Sequence, residues 1–167
     1  MIFITVGTHE QPFDRLLSYI DDLKRRKVIS DKIIMQIGYS NYIPRFCEWK
    51  KIYPYSEMEK NISDARIVIT HGGPSSFILP LRKGKIPIVV PRQKKYGEHI
   101  NNHQLDFCKK VVKRQNNIIL IEDIHDLENI LINYKKIVTA MNPENRSNNK
   151  IFVLRLEKEI NKLFRKE

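Results

Sequence analysis

Short continuous runs of apolar residues alternate along the chain with longer segments in which apolar residues recur every three or four positions. A continuous run is typical of a strand buried on both faces of a parallel sheet, and the longer spacing is typical of an amphipathic helix. The pattern therefore predicts an α/β fold, a Rossmann-like parallel sheet with helices on both faces. The predicted strands cover residues 2–6, 32–37, 51–53, 67–70, 86–90 and 118–121.

The predicted helices follow these strands in turn, within residues 12–27, 57–63, 75–83, 102–114 and 126–134. Candidate N-caps are Ser56, which forms a capping box with Glu59, then Ser75 or Ser76, and Asp123 or Asp126. Gly84 predicts the end of the third helix, and Pro80 predicts a distortion inside it. One Rossmann-like domain is thus expected over residues 1–145, followed by a basic amphipathic helix over 146–167.

The segment from Ile67 to Ser76 organises the chain, because an apolar run stops there at a histidine, two glycines, a proline and two serines. It predicts a strand, a tight turn and the start of a helix. The first N–H groups of a helix have no partner within it, the helix dipole places positive charge there, and glycine lets a diphosphate approach the backbone. Residues 71–76 are therefore either an anion-binding turn or a plain turn, and the flanking elements favour the first.

Four loops are expected to share one edge of the sheet, since each leaves the carboxyl end of a predicted parallel strand. They begin at Gly7, Gly38, His71 and Pro91. Ligands of parallel α/β sheets bind at this edge. The four loops are therefore expected to form one binding rim.

Length and charge narrow the class of ligand. The chain has 167 residues, enough for one domain with a proper core but too few for two nucleotide-binding domains. Its formal net charge is +11, and residues 82–114 contain ten lysines and arginines against two acidic residues, a difference of +8. This excess favours a phosphorylated ligand, an anionic membrane surface or nucleic acid over a merely solvated basic face.

No metal, cofactor or disulfide framework is predicted. Cys47 and Cys108 belong to no metal-like motif, which fits a reducing cytoplasm, and His99 and His103 lack a third ligand. The N-terminal run resembles a strand more than a signal peptide, and no segment is long enough to span a bilayer. The chain also lacks G-x-G-x-x-G, Walker A and D-x-D motifs, so a diphosphate is expected to be held by helix N-termini, glycine amides and basic side chains.

Four short motifs follow one another in a specific order, although each alone is a weak signal. They are Val6-Gly-Thr8 with Phe13-Asp14, Thr70-His-Gly-Gly-Pro-Ser-Ser76, Gly84-Lys-Ile-Pro-Ile-Val-Val-Pro91 and Glu98-His-Ile-Asn-Asn-His-Gln104. Together they resemble the carboxyl-terminal domain of glycosyltransferase family 28, over roughly residues 1–125. The resemblance is closest to stand-alone versions of this domain in bacterial capsule and exopolysaccharide synthesis, of the β-1,4-galactosyltransferase type. The chain also resembles the catalytic subunit of the split UDP-N-acetylglucosamine transferase.

The resemblance implies one half of a GT-B glycosyltransferase, a domain that binds a UDP-sugar donor, either UDP-galactose or UDP-N-acetylglucosamine. A separate, membrane-anchored partner subunit would bind the lipid-linked saccharide acceptor. The protein would then lie in the cytoplasm, held at the inner face of the cell membrane by the partner. The expected reaction is an inverting displacement at the anomeric carbon, in which a base deprotonates the acceptor hydroxyl.

The resemblance also implies roles for individual residues. Those expected to face the diphosphate are Gly7, Thr8, His71, Gly72, Gly73, Pro74, Ser75 and Ser76. Those expected to contact the donor sugar are Glu98, Asn102 and Gln104, while Arg92 and Lys94 would neutralise the departing UDP. His9 and Glu10 are candidates for the base, unless the base belongs to the partner. The family usually has a ribose-binding glutamate where this chain has Leu79.

Two other functions stay open at this stage. One is a non-catalytic regulatory subunit that binds UDP-sugar, and the other is a basic nucleic-acid-binding module. The second lacks interleaved aromatic residues and any recognition motif. The C-terminal helix is expected either to pack on its own domain or to dock on the partner or on anionic lipid.

Overall fold

A computed structural model of the protein describes residues 1–141. The predicted C-terminal helix lies outside these residues. The strands are β1 (Ile2–Thr5), β2 (Ile33–Gln36), β3 (Glu48–Lys50), β4 (Ile67–His71), β5 (Ile88–Val90) and β6 (Ile119–Leu120). The helices are α1 (Asp14–Arg25), α2 (Tyr55–Asp64), α3 (Pro74–Arg82), α4 (His103–Gln115) and α5 (Asp126–Ala140), with a 3₁₀ turn at Lys94–Tyr96.

The six strands form one sheet in the order β3-β2-β1-β4-β5-β6, and every neighbouring pair is parallel. Side chains alternate between its faces, so Ile2 and Ile4 pack in one core cluster with α1 and α5, while Phe3 packs in another with α2 and α3. In a third cluster, Val89 of β5 packs against α3 and α4. The Rossmann-like fold with helices on both faces is therefore confirmed.

The side-chain caps predicted for three helices are wrong. Helix α2 begins at Tyr55 after Pro54, whose carbonyl accepts the N–H of Met58 at 2.9 Å, and no side chain caps it. Glu59 points instead to Lys83, with 2.7 Å between its carboxylate and the ammonium nitrogen. Proline presets the backbone angle that a helix entry needs, so the capping box is dispensable here.

Helix α3 likewise begins at a proline, Pro74, with Gly73 as its N-cap residue. Ser75 and Ser76 therefore lie within the first turn, where their hydroxyl groups are free to face the sheet edge. Helix α5 begins at Asp126 after His125, and no side chain caps it. Asp123 accepts the N–H of His125 at 3.0 Å and so closes the turn before the helix.

The predicted end of α3 is confirmed. Gly84 has φ +72° and donates its N–H to Leu81, while Lys85 donates to Pro80, the paired bonds of a Schellman motif. Pro80 lies inside the helix, which nevertheless continues to Arg82.

The edge strand β3 lies three residues earlier than predicted. Its residues Glu48, Trp49 and Lys50 are all exposed, so the sequence there lacks the apolar run that marks a buried strand. The N–H of Tyr53, in the predicted strand, donates instead to the side chain of Gln36 at 2.9 Å. Pro87 directly precedes β5, and its carbonyl still accepts the N–H of Ile119.

Candidate functional site

Successive strands are added to the sheet in one direction from β1 and in the opposite direction from β4. From β1 the chain continues outward to β2 and β3, whereas β4 leads to β5 and β6 on the other side. Such a switch point leaves a crevice at the carboxyl ends of the two central strands. A cleft of about 440 Å³ opens there. Of the residues predicted from sequence, it brings together Gly7, Thr8, His9, His71, Ser75 and Ser76.

The His71 imidazole forms one wall of this cleft and is held between two glycines. A Cβ atom on Gly7 would lie 2.4 Å from its Nε2, and one on Gly73 would lie 2.3 Å from its Cε1. Real Cβ atoms do not approach other atoms so closely. Glycine is therefore needed at both positions to make room for the imidazole.

The predicted glycine amides do not face the cleft as free donors. Gly7 donates its N–H to the Thr5 hydroxyl at 3.2 Å, and Gly73 donates to His71 Nδ1 at 3.0 Å. Gly72 donates to the Gln104 side chain at 3.1 Å. Within residues 1–141, the polar groups left for a ligand in this turn are therefore the hydroxyls of Ser75 and Ser76 and the N–H of Ser75.

His71 is a neutral residue at physiological pH. Burial, and after it the positive charge of Arg92, lower its pKa to about 4. Only 9% of its surface is exposed. Its Nε2 lies 2.8 Å from the Ser76 hydroxyl, so the ring bonds the neighbouring turn at both nitrogens.

Arg92 lies beneath the rim and is fully buried. Its guanidinium donates to the carbonyls of Gln11 and Pro12 at 2.7 and 3.0 Å, and to that of Val6 at 3.1 Å. A longer bond of 3.4 Å reaches the carbonyl of Glu98. The side chain thus joins the loop after β1 to the loop after β5, and a direct contact with UDP would require this network to open.

Glu98 is likewise engaged inside the protein. Its carboxylate accepts two hydrogen bonds from Arg15, at 2.7 and 2.9 Å, and one from the N–H of Gln93 at 3.0 Å. Arg15 also donates to the carbonyl of Pro91, and the Tyr96 ring lies 4.4 Å from its guanidinium carbon. In this conformation both carboxylate oxygens of Glu98 accept hydrogen bonds within the protein, and a sugar hydroxyl would have to share them.

Of the other residues predicted to contact UDP or the donor sugar, Gln104 holds two turns together, whereas Asn102 and Lys94 lie at the surface. Gln104 accepts the N–H groups of both Gly72 and Arg92, and so connects the turns after β4 and β5. Asn102 accepts the N–H of Lys94 at 2.9 Å. The side chains of Asn102 and Lys94 are exposed at the rim.

His9 and Glu10 are exposed at the end of the loop after β1. The His9 ring lies 5.1 Å from that of His99, and its pKa is lowered by partial burial and by Arg92. His9 Nδ1 accepts the N–H of Gln11 at 3.1 Å. Because Nδ1 accepts this bond, neutral His9 carries its proton on Nε2 in this conformation, and the role of His9 or Glu10 as the base stays a prediction.

Sequence reasoning missed most of the other side of the cleft, which is formed by Thr5, Gln36, Tyr55, Met58 and Ile62 together with Leu79, the residue at the place of the family's ribose-binding glutamate. Gln36 lies beside Thr5 in the parallel register and donates to its hydroxyl at 3.1 Å. Polar residues at the ends of otherwise apolar strands were a signal for this layer. The Arg15 partner of Glu98 left no such signal, because the two residues are 83 positions apart.

The part of the chain that the structure describes holds no group of three or more metal-ligating side chains. Nor does any helix within residues 1–141 combine the length and apolar character needed to cross a bilayer.

The model of the glycosyltransferase family 28 C-terminal domain matches residues 1–150 of the chain. A human protein, UDP-N-acetylglucosamine transferase subunit ALG13, is 31% identical over 121 residues, which cover 67% of this chain and 10% of the human protein. The mouse protein of the same name is 27% identical over 120 residues, covering 66% and 10% of the two chains. The chain thus spans about a tenth of the length of these relatives.

The solved structure of the glycosyltransferase SnogD from Streptomyces nogalater shares the fold, with a TM-score of 0.50 and 15% sequence identity. The match covers 92% of this chain and 43% of SnogD. The family match covers most of the chain, and the sequence motifs and the order of the strands point to the same family. The chain belongs to the family of glycosyltransferase family 28 C-terminal domains.

Proposed function

We propose that this protein is the donor-binding catalytic subunit of an inverting, UDP-sugar-dependent glycosyltransferase. The observation that carries the proposal is the cleft between β1 and β4, where the loop at Gly7 meets the first turn of α3. A helix N-terminus at a switch point is suited to a diphosphate. Membership of the family agrees with this use of the cleft.

The shape of the cleft suggests how a nucleotide would lie in it. Its polar centre holds the hydroxyls of Thr8, Ser75 and Ser76, which can donate to phosphate oxygens. Its other end is formed by Tyr55, which is 66% exposed, and by Met58 and other apolar side chains. A planar uracil ring fits such an apolar, aromatic end, while the donor sugar would extend from the diphosphate toward His9 and the exposed rim.

The departing UDP would be stabilised by neutral donors and by the dipole of α3, with the buried charge of Arg92 acting from behind. Prearranged donors of this kind matter most where negative charge develops, and losing one can cost about 3 kcal/mol in the transition state. No divalent metal is required in this scheme.

The acceptor side of the active site would come from a second chain. A single parallel sheet supplies one wall of the cleft. The human and mouse relatives are named as a transferase subunit, which agrees with a divided enzyme. We place the missing base on this partner, together with the lipid-linked acceptor and the attachment to the cytoplasmic face of the membrane, in capsule or exopolysaccharide synthesis.

Calorimetric titration of the full chain with UDP, UDP-galactose and UDP-N-acetylglucosamine, without divalent metal, tests the donor site. Micromolar to millimolar binding is expected, and the tighter sugar nucleotide identifies the donor. Gly73→Asp should abolish binding, since its side chain would collide with His71 and place a negative charge in the cleft. Gly84→Asp is the control for the added charge, because it lies at the far end of α3 with nothing within 4 Å; its backbone has φ +72°, so thermal unfolding must show that this variant and Gly73→Asp are folded before binding is compared.

Binding that Gly84→Asp also abolished would not be specific to the cleft. If the full chain bound no uridine nucleotide, alone or with co-expressed candidate partners, the transferase proposal would be wrong. Sugar transfer by the reconstituted pair would separate a catalytic from a regulatory subunit. Salt-sensitive binding of DNA or RNA that UDP does not displace would favour the nucleic-acid alternative.

A further inference from the structure

The hydrogen bonds around His71 define which of its nitrogens carries the proton. The backbone N–H of Gly73 donates to Nδ1 at 3.0 Å, and a nitrogen that accepts a hydrogen bond cannot itself be protonated. A neutral imidazole has one proton, which must then be on Nε2. Nε2 lies 2.8 Å from the Ser76 hydroxyl, so His71 donates and Ser76 Oγ accepts.

This direction of the bond determines where the Ser76 proton points. Because Oγ already accepts from His71, its own hydrogen must be directed to another acceptor. Among residues 1–141 His71 is the only side chain within hydrogen-bonding distance of Ser76 Oγ, and the backbone N–H of Ser76 bonds separately to the carbonyl of Gly73. The hydroxyl proton is therefore available to the cleft that both residues line.

We propose that His71 is a positioning residue which holds the Ser76 hydroxyl as a hydrogen-bond donor to the diphosphate of the bound nucleotide. The inference rests on the proposed function for the identity of the ligand, and it goes beyond that function in assigning the two residues separate tasks. His71 touches no ligand atom itself. It acts only through Ser76.

The surroundings of His71 keep it in the required neutral form. Burial is the first cause, and the positive charge of Arg92 beneath it also disfavours a second proton. A hydrogen bond with the Gln104 side chain acts in the opposite direction, and His9 and His99 from the neighbouring loops again lower the pKa of His71. The imidazole is packed between Gly7 and Gly73, where a Cβ atom would come within 2.4 Å of the ring.

A double-mutant cycle on the full chain tests the coupling, with UDP-galactose and UDP-N-acetylglucosamine as probes. Ser76→Ala should weaken binding about tenfold, the effect of losing one hydrogen bond to a charged group. His71→Asn, which can still accept the Gly73 N–H, should weaken it to a similar degree. The double variant should also be weakened about tenfold, and not a hundredfold, because both changes remove the same bond.

Two comparison variants show whether the coupling is specific. Ser75→Ala removes a neighbouring hydroxyl that His71 does not contact, so its effect should add to that of His71→Asn. His125→Asn, on the opposite face of the sheet beside Tyr19, should leave binding unchanged. Thermal unfolding of each variant establishes that it is folded before binding is compared.

The tautomer can be observed directly in the unmodified protein. Long-range ¹H–¹⁵N correlation spectra at pH 7 should show His71 protonated on Nε2 alone. The affinity of the wild-type chain for a UDP-sugar, whose phosphates do not titrate in this range, should be constant between pH 6 and 8.

Several results would overturn the inference. They are an Nδ1-protonated or doubly protonated His71 at pH 7, a hundredfold loss in the double variant, or unchanged binding by His71→Asn. An affinity that falls as pH rises through 6.5 in the wild type but not in His71→Asn would show that His71 binds phosphate as a cation. Failure of the wild-type chain to bind any UDP-sugar, with the predicted tautomer present, would instead refute the proposed function and with it the ligand assigned to Ser76.

Discussion

The guanidinium of Arg92 lies against backbone carbonyls of two loops that form the rim of the cleft. An arginine after a strand end, near a predicted anion site, suggests a phosphate ligand. The fold uses this one differently, because its planar fork can satisfy several buried carbonyls that would otherwise lack a donor. Burial lowers its pKa only to about 10, so the group remains charged at neutral pH.

Arg92→Met should therefore destabilise the protein by about 3 kcal/mol, since it leaves buried carbonyls without a partner. Urea denaturation followed by circular dichroism measures this free energy of unfolding. Lys94→Met, at an exposed position two residues away, is the control and should change stability by less than about 0.5 kcal/mol. Weakened UDP binding by Arg92→Met at unchanged stability would show that Arg92 contacts the ligand after all.

The lowered pKa of His71 also makes stability depend on pH. Between its ordinary pKa of 6.5 and its folded value of about 4, the unfolded chain binds a proton that the folded protein does not. Stability therefore rises with pH through this window, and its loss on acidification from pH 7 to 4 amounts to roughly 3 kcal/mol. Chemical denaturation across this range should show the loss in the wild type, and the loss in His71→Asn should be smaller by about this amount, because carboxylates with a lowered pKa, such as Asp21 and Asp31, lose stability on acidification in both proteins. Equal slopes in the two proteins would contradict the assignment.

At the scale of elements, the ion pair between Arg15 and Glu98 joins α1 to the loop after β5. Arg15 is 13% exposed and Glu98 is 5% exposed at the side chain, so the pair is largely shielded from water. The same loop is held by Arg92 and by Gln104. The position of the rim thus depends on contacts between segments, and the loop's own sequence does not specify it.

Glu98→Gln should destabilise the protein by roughly 3 kcal/mol, because it leaves Arg15 buried beside Arg92 without a counter-ion. Glu59→Gln is the matched control; it breaks the more exposed pair with Lys83, which solvent screens, so stability should be nearly unchanged. Both are measured by chemical denaturation. A variant of Glu98 that kept full stability and lost affinity for UDP-sugar but not for UDP would indicate the sugar contact predicted from sequence.

Over the whole molecule, the basic residues of positions 82–114 do not form one patch: some lie at the rim of the cleft and others at the opposite edge of the sheet. Helices α3 and α4 begin at the rim and run to the opposite edge of the sheet, since parallel strands follow them. Arg82 and Lys83 lie at the last turn of α3, and Lys113 and Arg114 at that of α4. Only Lys94 and Lys95 are exposed cations on the rim loop itself.

Charge reversal of Lys94 and Lys95 to glutamate should slow UDP association roughly three- to tenfold at low salt, since exposed charges act over about 10 Å. The same reversal at Lys113 and Arg114, with an identical change in net charge, should have little effect. Stopped-flow measurements at low and high ionic strength test both. Equal slowing by the two variants would mean that net charge, and not the rim, attracts the ligand.

The sequence by itself determined the class of fold, most of the elements and the position of the turn at residues 71–76. Those features follow from local causes: apolar spacing reflects which faces are buried, and glycine and proline restrict the backbone where they stand. The N-cap positions Pro54 and Gly73 were missed because proline and backbone geometry replaced the expected side-chain caps.

Only the tertiary structure decided what the individual rim residues do. Arg92 bonds a carbonyl 86 residues away, Arg15 and Glu98 are separated by 83 residues, and Gln104 reaches back 32 residues to Gly72. No local pattern encodes such partners, since they meet only when the strands assemble in their order across the sheet. The same assembly occupies the glycine amides, makes His71 neutral and leaves the serine hydroxyls to the cleft.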